Sequence, residues 1–124
     1  MRVETNDDAR RIEAAIHSLQ AETPGVTLAV EGRIGRPPME RTPANRQLWK
    51  VATRLASELS LDLTEGTAGG GSDGNTTSQY TATIDGMGAV GDGAHADHEF
   101  IYINQLPVRC ALLTMLLLAP PIKS

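Results

Sequence analysis

The sequence predicts an α/β protein, and two kinds of apolar pattern favour this fold class. Two long segments carry apolar residues at helical spacing, and shorter segments between and after them alternate apolar with polar residues. Glycines and prolines separate these segments. The 124 residues suffice for one small core, and because only four residues are aromatic, that core has to be aliphatic.

The first element is an amphipathic helix, predicted over residues 5–21. Thr5 and Asp8 have the spacing of a helix N-cap. The apolar stripe of this helix consists of Ile12, Ile16 and Leu19. Alternation over residues 26–31 then predicts a half-buried strand, and the turn-rich residues 32–38 are expected to join two layers or domains.

The second helix is predicted over residues 42–58, since a capping hydroxyl at Thr42 followed by Pro43 is typical of a helix start. Its apolar stripe consists of Leu48, Val51, Ala52, Leu55 and Leu59. Short strands are predicted over residues 61–64, 80–84 and 99–103. A last, apolar helix is predicted over residues 106–119, where Pro120 ends it.

Charge is distributed unevenly along the chain, with a net charge of −4. Six basic residues lie between positions 33 and 54, whereas residues 57–108 contain eight acidic residues and no Lys or Arg. We expect complementary faces within one structure rather than a nucleic-acid partner, because the whole chain is acidic and the basic segment has one aromatic neighbour.

The cysteine and hydropathy patterns predict a soluble, cytoplasmic protein. Cys110 is the single cysteine, which excludes an internal disulfide, and its apolar surroundings predict a buried, inert thiol. The longest apolar stretch, residues 110–119, is too short to span a bilayer, so no membrane partner is expected. The N-terminal residues do not resemble a signal peptide.

Residues 86–91 spell G-x-G-x-x-G after a predicted strand. A dinucleotide site requires a helix to begin there, so that its N–H groups can bind pyrophosphate. A polar loop and another strand follow instead. We therefore do not expect nucleotide binding.

Two loops carry residues suited to ligand chemistry. In the glycine loop, residues 69–75, backbone N–H groups can surround an anion, with Ser72 and Asn75 as donors; a flexible linker is the alternative. The His95 loop, residues 92–99, has imidazole and carboxylate groups that bind divalent metals. Because a metal site needs three or four converging ligands, part of a metal site and a solvated loop are both open interpretations.

These motifs stand in an order that resembles a known family. GGGSDGN at 69–75, DGMG at 85–88 and GDGAHADHE at 91–99 resemble the C-terminal end of zinc-dependent metallopeptidases. The family includes glutamate carboxypeptidase, acetylornithine deacetylase and succinyl-diaminopimelate desuccinylase. RPPMERT at 36–42 is similar to the passage from its lid back into its catalytic domain.

The resemblance implies the C-terminal part of a two-domain metallopeptidase fold, with a partial α/β lid and a partial mixed-sheet catalytic domain. Residues 1–38 correspond to a remnant of the lid or dimerisation domain, and residues 39–124 to the C-terminal part of the catalytic domain. The implied partners are a small N-acyl amino acid or peptide and a second copy bound through the lid.

The implied chemistry is amide hydrolysis at a centre of two divalent metals, zinc in the family, with cobalt and manganese also suited to such ligands. His95 corresponds to a metal ligand, and Asp97, His98 and Glu99 to its support. Arg36 is the candidate carboxylate clamp. The substrate-contacting turn corresponds to the glycine loop, with Gly70, Gly71, Ser72 and Asn75.

The sequence departs from the family in lacking most metal ligands. It has no Glu-Glu pair, and its only His-x-Asp is at His95 itself. The chain alone is therefore expected to bind no zinc and to be inactive, as a C-terminal fragment of the hydrolase. The alternatives are a non-catalytic binding or dimerisation module of the same ancestry and the product of a truncated reading frame.

Overall fold

The computed structural model describes residues 2–122 and combines helices with a small sheet, in agreement with the predicted α/β class. Its elements, in chain order, are α1 (Asn6–His17), α2 (Pro43–Glu58), α3 (Gly74–Thr77), β1 (Gly91–Asp92), β2 (Phe100–Ile101), a 3-10 helix (Ile103–Gln105) and α4 (Leu106–Leu118). The described residues divide into two compact units. The first unit combines residues 2–41 with 67–81, and the second combines residues 42–66 with 82–122.

In the first unit, α1 begins as predicted. The Asp8 N–H donates to Thr5 Oγ1 at 3.0 Å, which satisfies one of the N–H groups that the first helical turn leaves unpaired. The helix ends at His17, four residues before the predicted end. Ser18 ends it by donating its hydroxyl to Ala15 O at 2.8 Å, and Leu19 beyond it is 58% exposed.

The predicted half-buried strand over residues 26–31 is wrong. The segment forms no regular element and pairs with no strand among the described residues, and Val26 and Leu28 are exposed. Alternation alone gives a segment two faces, whereas a strand also requires a neighbour to take its backbone hydrogen bonds. Contacts with α1 follow this segment, where His17 Nε2 lies 3.2 Å from Gly32 O and the Ile34 N–H donates to Glu13 Oε1 at 2.7 Å.

In the second unit, α2 and α4 form as predicted and pack against each other. Thr42 caps α2 by accepting from the Asn45 N–H at 3.1 Å, and Pro107 occupies the first turn of α4. The core cluster at their contact contains Leu55, Ala56 and Leu112. Burial of these aliphatic side chains is the main stabilising term of the unit.

The strand predictions in the second half of the chain are correct only around Phe100. Residues 61–64 and 80–84 form no strand, and Tyr80 lies, 86% exposed, in the turn after α3. Strands β1 and β2 pair antiparallel over two residues each, with Gly91 opposite Ile101. Turns over residues 94–98 connect the two strands.

The expectation of a buried Cys110 needs correction. Cys110 is exposed, because it lies on the face of α4 that points away from α2. The glycine loop ends in a short helix, since Gly74 and Asn75 begin α3.

None of the helices in the described part of the chain combines the length and the apolarity needed to cross a bilayer.

Candidate functional site

The glycine loop is held to the Arg36–Pro38 segment by Asn75, within the first unit. The side chain of Asn75 donates from Nδ2 to Pro37 O at 2.9 Å and accepts at Oδ1 from the Ser72 N–H at 2.8 Å. Gln79 adds a parallel contact, donating from Nε2 to Pro38 O at 3.0 Å. Because Pro37 and Pro38 have no N–H to donate, their carbonyls are the backbone groups through which these two residues can form hydrogen bonds.

Arg36 lies directly over the glycine loop. A Cβ added at Gly71 would be 2.9 Å from Arg36 Cδ and 3.2 Å from one of its guanidinium nitrogens, so a larger residue would displace the Arg36 side chain. Gly70 is exposed with open space around it. The arrangement presents an exposed guanidinium beside exposed backbone, which suits a carboxylate ligand.

Ser72 shapes the loop through its own hydrogen bonds. Its hydroxyl accepts from the Gly74 N–H at 3.0 Å, and its carbonyl accepts from the Asn75 N–H at 3.2 Å. The two predicted donors therefore bind their own loop in this structure, which gives the loop a defined shape.

An open groove of about 510 Å³ adjoins this segment in the first unit. The side chain of Arg36 lines it, together with Glu13 and His17 of α1. Apolar lining residues are Val3, Ala9, Ile12, Ile16, Val30 and Ile34. The groove thus combines apolar walls with charged side chains near Arg36.

The His95 loop belongs to the second unit and consists of two successive tight turns. The Ala96 N–H donates to Gly93 O at 2.8 Å, and the Glu99 N–H donates to Ala96 O at 3.0 Å. His95 has a φ of 67°, in the left-handed region that side chains other than glycine rarely adopt. Its own N–H donates to Glu99 Oε2 at 3.3 Å, so Glu99 supports the backbone of His95. The imidazole itself is exposed.

Glycines make the His95 loop compact. Gly93 has a φ of 72°, and a Cβ there would lie 2.9 Å from His98 Cδ2, so the His98 ring covers this position. At Gly91 a Cβ would overlap the carbonyl oxygen of Phe100 on the paired strand. Asp97 is exposed at the surface of the loop.

These residues do not by themselves fit a catalytic metal. Between residues 2 and 122, no three or more His, Cys, Asp or Glu side chains come together in a group that could hold a metal ion. His95 is therefore at most one ligand of a site completed by other residues, since a catalytic zinc has three protein ligands.

Arg109 is a structural residue that the sequence analysis did not single out. From α4 its guanidinium donates to Gly88 O at 3.1 Å and to Gly86 O at 2.8 Å. These carbonyls belong to the G-x-G-x-x-G segment, and Gly91 at its end enters strand β1 rather than a helix. Arg109 thus fixes the segment that leads into the His95 loop.

Comparison with known proteins gives one match. The model of a family described as peptidase family M20/M25/M40 matches residues 4–119. No curated protein and no solved structure matches the chain.

Proposed function

The chain belongs to peptidase family M20/M25/M40, a hydrolase lineage that is generally metal-dependent, and from this we propose that it is the C-terminal part of an amide-cleaving metallopeptidase. The substrate class is an N-acyl amino acid or a peptide that loses its C-terminal amino acid. The observation that carries this proposal is the exposed guanidinium of Arg36 lying over Gly71. Such substrates present a free carboxylate beside the amide bond to be cleaved, and a guanidinium binds a carboxylate with two parallel hydrogen bonds.

In this proposal the substrate carboxylate is bound in the first unit. Arg36 supplies the charge, and Gly71 supplies the space in which the guanidinium can approach the loop backbone. Asn75 keeps the loop in place through its contacts with Pro37 and Ser72. The proposed substrate-binding residues are Arg36, Gly70, Gly71, Ser72 and Asn75.

His95 is the proposed metal ligand of this chain. The left-handed backbone at His95 and the acceptance of its N–H by Glu99 support this role, because backbone strain is often found where a side chain is held for function. Asp97 and Glu99 are proposed to support His95. Zinc is the proposed metal, and it would supply an activated water for hydrolysis once other residues complete the site.

The proposed architecture follows the family. We assign residues 1–38 to the lid remnant, which would also form the homodimer, and residues 39–124 to the catalytic domain. A cytoplasmic location is proposed on the single cysteine, which excludes an internal disulfide. Alone, the chain is proposed to be inactive, because the described residues form no group of three metal ligands.

In the experiment, a full-length family member supplies its N-terminal region, up to the position that aligns with residue 4 of this chain, and that region is fused to the N-terminus of this chain. Hydrolysis of an N-acetyl amino acid is then assayed with added zinc. We expect activity from the joined protein and none from the chain alone. Replacing the free carboxylate of the substrate by an amide is expected to lower kcat/KM of the joined protein roughly 10- to 100-fold, because the substrate then loses a charged hydrogen-bonded pair.

The matched variants are Arg36→Met, which removes the charge, and Arg33→Met, which removes a neighbouring charge without contact to Gly71. Arg36→Met should abolish the preference for the free carboxylate, and Arg33→Met should retain it. Zinc-dependent hydrolysis by the chain alone, or an unchanged preference in Arg36→Met, would contradict the proposal.

A further inference from the structure

The dipeptide Asp-Gly occurs three times in the chain, at Asp73–Gly74, Asp85–Gly86 and Asp92–Gly93. An aspartate followed by glycine is prone to rearrange without an enzyme, because glycine has no Cβ to hinder the approach of its own nitrogen and its backbone bonds turn freely. The three pairs share this sequence but differ in the contacts of the atoms that react. These contacts separate a reactive pair from protected ones.

The rearrangement forms isoaspartate and needs only water. The glycine nitrogen attacks the carbon of the aspartate side-chain carboxyl, so that a new N–Cγ bond closes a five-membered imide. The carboxyl hydroxyl and the amide hydrogen leave together as water. A second water then adds to the main-chain carbonyl of the aspartate and breaks the bond from that carbonyl to the glycine nitrogen. The main chain now runs through the side chain, and the mass is unchanged.

At Asp92 the reacting groups are already in contact. The Gly93 N–H donates to Asp92 Oδ1 at 2.7 Å, so the attacking nitrogen lies beside the carboxyl group that it attacks. Asp92 is exposed and is the last residue of β1, whose pairing covers two residues. Because so short a strand is marginally stable and opens locally, the peptide bond after Asp92 can turn into the geometry of the ring.

At Asp73 the same dipeptide is protected by the start of α3. The Gly74 N–H donates to the Ser72 hydroxyl at 3.0 Å. The Asp73 carbonyl accepts from the N–H groups of Thr76 and Thr77, each at 3.0 Å. Ring closure would turn this peptide bond away from all three contacts. Several hydrogen bonds therefore have to open before Asp73 can react.

Asp85 has the reactive contact but a more firmly held peptide. The Gly86 N–H donates to Asp85 Oδ1 at 2.8 Å. The Gly86 carbonyl, however, is bound by the Arg109 guanidinium from α4, also at 2.8 Å. The carbonyl of Gly93 accepts instead from the Ala96 N–H, inside the His95 loop, and can move together with that loop. We therefore expect Asp85 to react more slowly than Asp92.

We propose that Asp92 is a site of spontaneous isoaspartate formation in the folded chain. The modification adds one atom to the main chain where β1 enters the His95 loop. A Cβ at Gly93 would lie 2.9 Å from His98 Cδ2, so the longer main chain displaces the His98 ring and changes the shape of the loop. This inference is independent of the proposed function, because it follows from the contacts of Asp92 and Gly93 alone.

The test is an incubation of the full chain at physiological temperature in mildly acidic buffer, where more of the carboxyls carry the hydroxyl that leaves. The protein is then digested with a protease that cuts before Asp but not before isoaspartate. Mass spectrometry reads the three Asp-Gly pairs separately, because each has its own cut. The cut at Asp92 is expected to disappear about tenfold or more faster than the cut at Asp73, with Asp85 between them.

The matched control is the same incubation in denaturing urea, where the three pairs lack their folded contacts and should react at similar rates. Asp92→Glu would have to close a larger ring, so it should lower the total isoaspartate of the folded chain, counted by enzymatic methylation of the carboxylate that the rearrangement releases. Asp97→Glu, in the same loop, should leave that total unchanged. Both positions are exposed, so both variants should keep the circular dichroism spectrum of the chain.

Each alternative outcome has a definite meaning. Equal rates at Asp92 and Asp73 in the folded chain would overturn the proposal, as would faster reaction at Asp85. A preference for Asp92 that persists unchanged in urea would overturn it too, because neighbouring sequence and not the fold would then be the cause. A folded chain that keeps all three cuts while the unfolded chain loses them would show that the fold protects Asp92, contrary to the proposal.

Discussion

The contact between Asn75 and Pro37 leads to a prediction that can be made quantitative. In Asn75→Asp the oxygen that accepts from the Ser72 N–H is kept, while the nitrogen that donates to Pro37 O is replaced by a second oxygen. The lost hydrogen bond is worth about 1 kcal/mol, and two acceptors held face to face in a half-buried place add about 1 kcal/mol more. We expect the free energy of unfolding to fall by about 2 kcal/mol at pH 7.

The assay is urea unfolding followed by far-ultraviolet circular dichroism, with wild-type protein at each pH. When the carboxyl introduced by Asn75→Asp is protonated, it can donate to Pro37 O again, so the folded state raises the pKa of this carboxyl above its unfolded value. The deficit of the variant should therefore shrink as pH falls from the raised folded pKa to the unfolded value of about 4, and should stay small below it. Gln20→Glu, the same exchange at an exposed position of the first unit, should change stability by less than about 0.5 kcal/mol. Equal effects of the two substitutions would refute the reasoning.

Three further predictions concern the helices. Leu112→Ala leaves a cavity in the core between α2 and α4 and should lower the free energy of unfolding in urea by about 2–5 kcal/mol. Leu117→Ala, which truncates an exposed side chain, should lower it by less than about 1 kcal/mol. Similar losses in the two variants would contradict the packing described. Thr42→Ala removes the cap of α2 and should cost about 1 kcal/mol, a loss that Thr42→Ser should largely avoid. The hydrogen bond from Thr5, together with the charge of Arg11, holds the pKa of Asp8 below its usual value. The Asp8 carboxylate therefore stabilises the fold fully above pH 3.8, and this stabilisation is lost as pH falls through the lower folded pKa. In a carboxyl titration by nuclear magnetic resonance, Thr5→Val should return the Asp8 pKa towards 3.8, and an unchanged pKa would show that the hydroxyl has no such effect.

The helices could be predicted from the sequence because their signals are local. Thr5 and Thr42 accept from N–H groups three residues ahead, and Pro107 fixes the start of α4 by its own geometry. Local signals of this kind could not show whether residues 26–31 form a paired strand. Its alternation is real, but whether a neighbour pairs with it depends on distant parts of the chain.

The sequence indicates candidate site residues but does not indicate their contacts. Arg36 and the glycine loop were singled out separately, yet the hydrogen bond that fixes this loop joins residues 38 positions apart, from Asn75 to Pro37. The contact of Arg109 with Gly88 spans 21 positions. No periodicity or spacing in the sequence indicates such pairs, because they arise only when distant segments fold together.

The division of the first unit into two separate stretches has a consequence for synthesis on the ribosome. Residues 67–81 are added to the unit only after the whole of α2 has been made. Until then, the Pro37 and Pro38 carbonyls lack the donors of Asn75 and Gln79. The first unit can therefore complete its folding only after synthesis of the second unit has begun. A nascent chain stalled before residue 67 would contain α1 but not residues 67–81, which complete the first unit.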